Sequence, residues 1–354
     1  MDLNIAVLSG DGIGPEVTNE AVKVIDVISK KFDHKINISE GLTGAIAIDK
    51  KGNPYPDETH QICEKSDAVL FGAIGDPKYD NDPSAKVRPE QGLLEMRKKL
   101  GLYANLRPTI VFESLINNSP LKKDRIQNTD LIFVRELTGG IYFGKRGRKD
   151  NGNFAYDTCE YNRYEVERIA QLGFEMALKR KRKLCCVDKA NVLESSRLWR
   201  ETVQNMESRF PDVKVSYEFV DAVAMRLIQW PSEYDVLVTS NLFGDILTDE
   251  ASVISGSMGL MPSASIGVKN ALYEPIHGSY PQAAGKNIAN PVGSILSLAM
   301  MFEYSFNLEK ESNIIKKAVE NSLKEKITTQ DISGNDKTYS TSDVGDFICN
   351  YINS

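Results

Sequence analysis

The sequence has few of the residues from which disulfide frameworks and thiolate or imidazole metal sites are built. It contains five cysteines, none of them in a CxxC pair, and only three histidines. An odd cysteine count without paired spacing argues against both a disulfide framework and a zinc site. An excess of basic residues is also absent, since the net charge is −6. Nucleic-acid-binding proteins are more often basic, so we expect no nucleic-acid partner.

Long apolar stretches are missing as well. No apolar run approaches the length that spans a bilayer, and the first residues pass into a predicted strand without a basic and apolar leader. We therefore expect a reduced, soluble protein of the cytoplasm with no membrane partner. Apolar residues make up 41% and charged residues 26% of the chain, as in ordinary globular proteins.

The chain instead shows alternating strand and helix patterns over 354 residues. Apolar runs at 67–73 and 131–136 predict buried strands, and the amphipathic stretch 164–183 predicts a helix. This alternation predicts an α/β protein with two domains or one large unit. The glycines of SGDGIGPEV are typical of a strand-to-helix turn that approaches a phosphate. Pro15 follows the third glycine, so the GxGxxG pattern of a Rossmann fold is not met.

A predicted helix at 91–100 could carry part of a ligand site. Residues three and four apart share a helix face, which brings Glu90, Leu93, Leu94 and Arg97 onto one small surface. A guanidinium beside branched apolar side chains suits a small molecule with carboxylates and an aliphatic branch, because arginine binds a carboxylate with two parallel hydrogen bonds. The alternative is an ordinary amphipathic helix, with the leucines in the core and the arginine in water.

Two further arginines follow on predicted strands. Arg107 lies in LYANLRP, and Arg135 ends the strand LIFVRE. An acidic protein that binds a polyanion must concentrate positive charge locally, and Arg97, Arg107 and Arg135 are the candidates. The segment after Arg135 holds five glycines and many charges. It is typical of a hairpin or protruding arm, and it contains Tyr142.

Three aspartates form a candidate site for a hard cation. Asp245 and Asp249 are four apart on a predicted helix, and Asp221 ends a predicted strand. Like charges at that helical spacing cost roughly 0.2–0.5 kcal/mol when exposed, a cost that a bound cation removes. Oxygen-only ligands favour Mg²⁺ or Mn²⁺. Two solvated aspartates near a helix start remain an equally good explanation of the pair.

The segment from Glu274 to Pro291 is rich in glycine, proline, alanine and asparagine and predicts an ordered loop. His277 and the glycines could pack on a flat heterocycle, and Asn290 could hydrogen-bond its edge. A lone histidine in a loop is more often structural, so the residues alone leave both readings open.

Together these segments resemble the metal-dependent β-decarboxylating dehydrogenases, and within that isocitrate/isopropylmalate dehydrogenase family they are most similar to the members that oxidise isopropylmalate. The matching motifs occur in family order and spacing: LSGDGIGPEV, RPEQGLLEMRKKLGLYANLRP, VRELTGGIYFG, VDKANVLE, TSNLFGDILTDEAS and AAGKNIANP. The resemblance implies a two-domain α/β fold that is not a Rossmann fold. Residues 1–102 with 256–354 would form one domain with the NAD-binding loops. Residues 103–255 would form the second, with the dimer interface, the arm and the metal ligands.

The resemblance also implies a role for each matched residue. Tyr142 and Lys189 would be the catalytic acid/base pair. The substrate would be bound by Arg97, Arg107, Arg135, Asp221, Glu90, Leu93 and Leu94. Mg²⁺ or Mn²⁺ would be bound by Asp221, Asp245 and Asp249. NAD would be bound by Ile13, Ile74, Gly75, Glu274, His277, Gly278, Ser279, Gln282 and Asn290. Lys189 and Asp221 would reach across a homodimer, so that its active sites are shared.

The implied reaction is the NAD⁺-dependent oxidative decarboxylation of 3-isopropylmalate to 4-methyl-2-oxopentanoate and CO₂, in leucine biosynthesis. Leu93 and Leu94 favour this substrate over the alternatives within the family, which are isocitrate, homoisocitrate and tartrate or malate. A non-catalytic subunit is disfavoured because the catalytic positions are intact. An RNA-binding or structural protein is disfavoured by the charge and the motifs. Family members that use NAD usually have an aspartate where Gln282 stands, so we expect NAD use with weaker discrimination against NADP.

Overall fold

The computed structural model describes residues 1–82, 85–334 and 336–354. Its strands are β1 (Asp2–Gly10), β2 (Lys35–Glu40), β3 (Ala68–Ala73), β4 (Leu102–Ile110), β5 (Asp130–Glu136), β6 (Arg146–Lys149), β7 (Phe154–Asp157), β8 (Lys183–Asp188), β9 (Lys214–Phe219), β10 (Val236–Thr239), β11 (Pro262–Gly267) and β12 (Ala271–Pro275). The described residues form two compact units, one of Met1–Leu102 with Gly256–Ser354 and one of Tyr103–Ser255.

The α-helices alternate with these strands, so the predicted α/β class is confirmed. They are α1 (Gly14–Phe32), α2 (Ala45–Lys51), α3 (Asp57–Lys65), α4 (Pro77–Asp80), α5 (Pro89–Lys99), α6 (Lys123–Ile126), α7 (Arg163–Lys179), α8 (Glu194–Met206), α9 (Val220–Gln229), α10 (Asn241–Ile254), α11 (Val292–Tyr304), α12 (Glu309–Lys324), α13 (Gln330–Ser333) and α14 (Thr341–Asn353). None of the helices in the described part of the chain is long and apolar enough to cross a bilayer.

In the first unit the strand order is β2-β1-β3-β12-β11. β1 pairs in parallel with β2 and β3, and β3 with β12, whereas β11 and β12 are antiparallel. Every residue of β3 is buried, because a parallel strand covered on both faces has a continuous apolar sequence. This order and the antiparallel pair differ from the doubly wound dinucleotide-binding sheet.

In the second unit the strand order is β4-β5-β10-β8-β9. β4 runs antiparallel to β5, and the other neighbours are parallel. Phe133, Val187, Leu237 and Leu247 belong to the buried cluster of this unit. The predicted hairpin is confirmed, since β6 and β7 form a separate antiparallel pair.

Several boundaries differ from the sequence predictions. The predicted helix at 91–100 begins earlier, at Pro89, since proline fits the first helical turn. The helix predicted at 164–183 ends at Lys179, and Arg182 adopts a positive φ of 57° before β8. Asp221 does not end a strand: β9 stops at Phe219, and Asp221 lies in the first turn of α9. Tyr142 precedes the hairpin and ends the short 3₁₀ helix Gly140–Tyr142.

Candidate active site

In the first unit, Arg97 forms a buried ion pair. It lies on α5 with 9% of its surface exposed, and its Nη2 donates to Glu274 Oε1 at 3.2 Å. Arg97 Nε is buried and has no hydrogen-bond partner among the described residues. A buried guanidinium N–H without an acceptor is costly, so Arg97 has a donor that suits an added anion.

The other predicted side chains of α5 differ in burial. Leu93 packs against the buried cluster that includes Tyr55 and Met96. Leu94 is half-buried and Glu90 is exposed. Both leucines are half-buried, so the alternative of an ordinary amphipathic helix holds in part for Leu93.

In the second unit, Arg107 and Arg135 project from adjacent antiparallel strands, β4 and β5. Arg107 is held by Nε to Asn105 Oδ1 at 2.6 Å and by Nη1 to Thr248 Oγ1 at 2.7 Å. Arg135 is 2% exposed, and its Nη2 donates to Asn241 Oδ1 at 2.9 Å. Neutral oxygens therefore orient part of each guanidinium.

Asp245 joins both arginines to Tyr142. Its Oδ1 accepts from Arg135 Nη1 at 2.5 Å and lies 3.7 Å from Arg107 Nη1. Its Oδ2 accepts from the Tyr142 hydroxyl at 2.7 Å. Asp249, one turn further along α10, has Oδ1 3.6 Å from Arg107 Nη1. The structure therefore brings two predicted metal ligands, two predicted substrate arginines and the predicted acid into one cluster.

The environment sets the protonation of this cluster. Partial burial, together with the hydrogen bond to Asp245, raises the pKa of Tyr142 to about 12. Tyr142 therefore keeps its proton at neutral pH. Burial also raises the pKa of Asp249, against the opposing positive charge of Arg107.

Lys189 and Asp221 form a separate pair. Lys189 Nζ donates to Asp221 Oδ1 at 2.5 Å, and this hydrogen bond lowers the pKa of the exposed Asp221 carboxyl. Over the described ranges of this single chain, no three histidine, cysteine, aspartate or glutamate side chains are gathered around a possible metal position. Asp221 is thus not collected with Asp245 and Asp249 within one chain.

The predicted cofactor residues of the first unit meet near the start of α1. Ile13 N–H donates to the Ser279 carbonyl at 2.8 Å. Gly12 has φ +59°, and a Cβ there would lie 2.0 Å from the same carbonyl, so only glycine permits this approach. On the other side, Gly75 N–H donates to Asp11 Oδ2 at 3.0 Å. Ile74 continues from β3 and packs on the same core as Leu93.

The remaining predicted cofactor residues of the loop differ in hydrogen bonding and exposure. His277 Nδ1 contacts the Gly278 carbonyl at 2.9 Å, while its Nε2 is buried and has no partner among the described residues. Burial lowers the pKa of His277, which keeps the ring neutral. Asn290 already donates to Asp331 Oδ2 at 3.0 Å and accepts from Val292 N–H at 3.0 Å. Gln282 is exposed.

Sequence reasoning missed the residues that orient the predicted ones. Asn241 and Asn105 hold the two arginines of the second unit, and Thr248 contacts Arg107. Asp11 accepts N–H groups from Ala45 as well as Gly75. An available signal was that Asn241 and Asp11 are polar residues inside two of the quoted motifs.

Nearly the whole chain matches a known protein family. Residues 4–348 match the family described as isocitrate/isopropylmalate dehydrogenase. The chain belongs to that family. Its members are oxidoreductases, so the enzyme class predicted from the motifs is confirmed, as is the family fold.

The relatives and structural neighbours include both isopropylmalate dehydrogenases and an isocitrate dehydrogenase. A 3-isopropylmalate dehydrogenase of Bacteroides fragilis is 55% identical over 354 residues, covering 99% of each chain. One from Aquifex aeolicus is 53% identical, covering 93% of this chain and 91% of the relative. The crystal structure of isocitrate dehydrogenase from Methylococcus capsulatus has a TM-score of 0.89 at 31% identity, covering 100% of each chain.

Proposed function

We propose that this protein oxidises and decarboxylates 3-isopropylmalate to 4-methyl-2-oxopentanoate and CO₂, reducing NAD⁺, in leucine biosynthesis. The observation that carries the proposal is the sharing of Asp245 between Arg135 and Tyr142. Asp245 is a carboxylate that could bind a cation. It contacts both a buried arginine that could bind a substrate carboxylate and a protonated tyrosine that could donate a proton. The 3-isopropylmalate dehydrogenases at 55% and 53% identity support the same substrate.

The substrate carboxylates are assigned to Arg97, Arg107 and Arg135. The buried Nε of Arg97 without a partner supports a role in anion binding. Neutral oxygens of Asn105 and Asn241 orient Arg107 and Arg135. The carboxylates of Asp245 and Asp249 lie beside the same guanidinium groups, where a bound cation would compete for them. Planar guanidinium groups select carboxylates by paired hydrogen bonds.

The isopropyl group is assigned to the α5 face formed by Glu90, Leu93 and Leu94. The partial exposure of Leu94 leaves apolar surface available to an aliphatic branch. Isocitrate carries a carboxymethyl group in place of that branch. Placing its carboxylate against leucine would remove water from the charge without supplying a hydrogen-bond partner.

A divalent cation, Mg²⁺ or Mn²⁺, is assigned to Asp245, Asp249 and Asp221. The donor set fits, because all three are carboxylates and hard cations prefer oxygen. The raised pKa of Asp249 also indicates a carboxylate that a nearby positive charge would stabilise. When bound, such a cation supplies Lewis acidity toward substrate oxygens.

The proton transfers are assigned to Lys189 and Tyr142. Lys189 Nζ would accept the proton of the substrate hydroxyl, and Asp221 orients that amine. Tyr142, with a pKa of about 12, holds its proton at neutral pH and would donate it to carbon after CO₂ has left. Asp245 fixes the direction of the Tyr142 hydroxyl.

NAD is assigned to the loops around Ile13, Ile74–Gly75, Glu274 and His277–Asn290. The residues fit a flat heterocycle, since His277 Nε2 is buried without a partner and a Cβ on Gly278 would meet open space. Gln282 could hydrogen-bond a ribose hydroxyl but would not repel a 2′-phosphate. The proposal is therefore NAD use with weak discrimination against NADP.

A homodimer with shared active sites completes the proposal. Met225 and Ile228 on α9, and Ile246 and Val253 on α10, are exposed apolar side chains. Each pair is spaced by three or seven residues and so shares a helix face. A twofold partner would cover these faces and could bring its own Asp221 to complete the cation site, which is the arrangement the family resemblance implies. The substrates are small polar metabolites, which suits an enzyme of the cytoplasm.

The test is NADH formation by the purified protein with Mg²⁺, comparing 3-isopropylmalate, isocitrate and malate, with chelator added as a control. We expect preferred turnover of 3-isopropylmalate, its loss with EDTA, and recovery when Mg²⁺ or Mn²⁺ is restored. Preference for isocitrate would overturn the assignment of Leu93 and Leu94 while keeping the reaction class. No turnover of any substrate with NAD⁺ or NADP⁺ by a folded dimer would overturn the enzymatic proposal.

A further inference from the structure

Asn241 connects three functional parts of the second unit although none of its atoms is in the predicted acid/base or metal set. It is the first residue of α10 and is 1% exposed. The same helix carries Asp245 and Asp249 one and two turns later. A buried side-chain amide must use its hydrogen-bonding groups, because leaving them unmet is costly.

The oxygens of Asn241 face Arg135. Oδ1 accepts from Arg135 Nη2 at 2.9 Å and from Nε at 3.2 Å, and the backbone carbonyl accepts from Nε at 2.9 Å. Asn241 thus occupies the Nε–Nη2 edge of the guanidinium. The Nη1 side is directed to Asp245, which is also the acceptor of the Tyr142 hydroxyl.

The amide nitrogen of Asn241 faces the turn that carries Tyr142. Nδ2 donates to the Gly139 carbonyl at 3.2 Å. Gly140 follows with φ +74°, and a Cβ there would lie 2.5 Å from the Tyr161 hydroxyl. That hydroxyl accepts the backbone N–H of Asn241 at 2.9 Å. The side chain of Asn241 therefore contacts the turn directly, and its backbone binds the Tyr161 hydroxyl that lies beside Gly140.

Only an amide satisfies both neighbours. A guanidinium donates and never accepts, whereas a peptide carbonyl only accepts. Aspartate would keep an acceptor for Arg135 but would turn a second acceptor toward Gly139. Leucine has a similar volume and meets neither group. Aspartate would therefore lose only the contact with Gly139, whereas leucine would lose the side-chain contacts with both Gly139 and Arg135. Comparing the two substitutions tests the two contacts separately.

We propose that Asn241 is a positioning residue that sets the Nη1 side of Arg135 and the turn bearing Tyr142 relative to α10. The catalytic part of this inference rests on the proposed function, but the structural part does not. Asn241 acts through Arg135 and Tyr142 and has no assigned contact with substrate.

The experiment compares Asn241→Leu and Asn241→Asp with a matched control, Thr202→Val. Thr202 is a buried polar residue of α8 whose hydroxyl donates to the Leu198 carbonyl at 2.6 Å, and it has no role in the assigned site. Each dimeric protein is measured for melting temperature, for kcat and KM, and for amide hydrogen exchange of peptides covering residues 137–143.

We expect faster exchange in 137–143 and a kcat lower by about ten- to hundredfold in both Asn241 variants, because small misplacements of catalytic groups have effects of this size. KM should rise by about tenfold or more in Asn241→Leu and less in Asn241→Asp, which keeps an acceptor for Arg135. Thr202→Val should lower only the melting temperature. If Asn241→Asp shows unchanged exchange, kcat and KM, the proposal is overturned even when Asn241→Leu does not fold.

The exchange measurement also separates this proposal from the proposed function. If the unchanged protein does not turn over 3-isopropylmalate but both Asn241 variants loosen residues 137–143, the substrate assignment fails and the positioning role is supported. Unchanged exchange in both variants overturns the positioning role whatever the activity of the protein.

Discussion

Replacing Tyr142 by phenylalanine removes one oxygen from the cluster around Asp245. The lost interaction is the hydrogen bond from the hydroxyl to Asp245 Oδ2 at 2.7 Å. The ring remains, with its centroid 6.0 Å from Arg135 Cζ. Asp245 also keeps its contact with Arg135. The substitution therefore separates proton donation from the packing of the residue.

The expected losses in stability and in rate differ in size. Asp245 is one-third exposed, so the hydrogen bond contributes about 1 kcal/mol to the free energy of unfolding, or roughly 2–4 °C in melting temperature. Loss of a general acid lowers kcat by about 10²–10⁴, which is roughly 2.7–5.5 kcal/mol in the activation free energy. The rate effect should therefore exceed what a small loss of stability can explain.

The assay is NADH formation under rapid mixing and in the steady state. If Tyr142 protonates carbon after decarboxylation, Tyr142→Phe should form NADH rapidly in the first turnover and then slow down. The matched control is Tyr234→Phe, since the Tyr234 hydroxyl donates to Glu218 Oε2 at 2.8 Å in the same unit. That control should lose stability and keep kcat. A Tyr142→Phe protein with the turnover of the unchanged protein would remove Tyr142 from the mechanism.

Three further substitutions test other parts of the site. Arg135→Lys should raise KM for 3-isopropylmalate roughly 10- to 150-fold, because an ammonium cannot reproduce both guanidinium edges; an unchanged KM in steady-state kinetics would exclude Arg135 from substrate binding. Leu94→Ala should lower kcat/KM for 3-isopropylmalate about 10- to 200-fold and leave malate unaffected, and an equal loss for both substrates would count against the isopropyl assignment. Burial raises the pKa of Glu136 above its ordinary 4.5, so its stabilising contribution is present when it is protonated and is lost as pH rises through the folded-state value. The melting temperature of the unchanged protein relative to Glu136→Gln should therefore increase as pH falls toward the ordinary value of 4.5, whereas a pH-independent difference would contradict this sign.

Much of the fold could be predicted because its signals are local. The apolar run of β3, the helical spacing on α5 and the glycine-rich segment before the hairpin each report burial or backbone geometry within a few residues. The errors concern the ends of helices and strands, which local patterns define poorly. Asp221 was predicted to end a strand, but β9 stops two residues earlier, at Phe219, and α9 begins at Val220. Helix and strand ends depend on contacts outside the segment.

The sequence by itself determined which chemical groups are available and to which family they belong. It contains arginines, carboxylates, a tyrosine and a lysine in motifs of family order. Those conclusions need only residue identity and spacing.

The tertiary structure alone decided which of these groups meet. Asp245 contacts Arg135, which is 110 residues away, and Tyr142, which is 103 residues away. Neighbouring strands β5 and β10 bring these distant segments together, because parallel strands end at the same edge of a sheet. The same topology places Asn241 between Arg135 and the Tyr142 turn. Periodicity records how a segment lies against the core but not which other segment it faces, so these contacts could be found only in the folded chain.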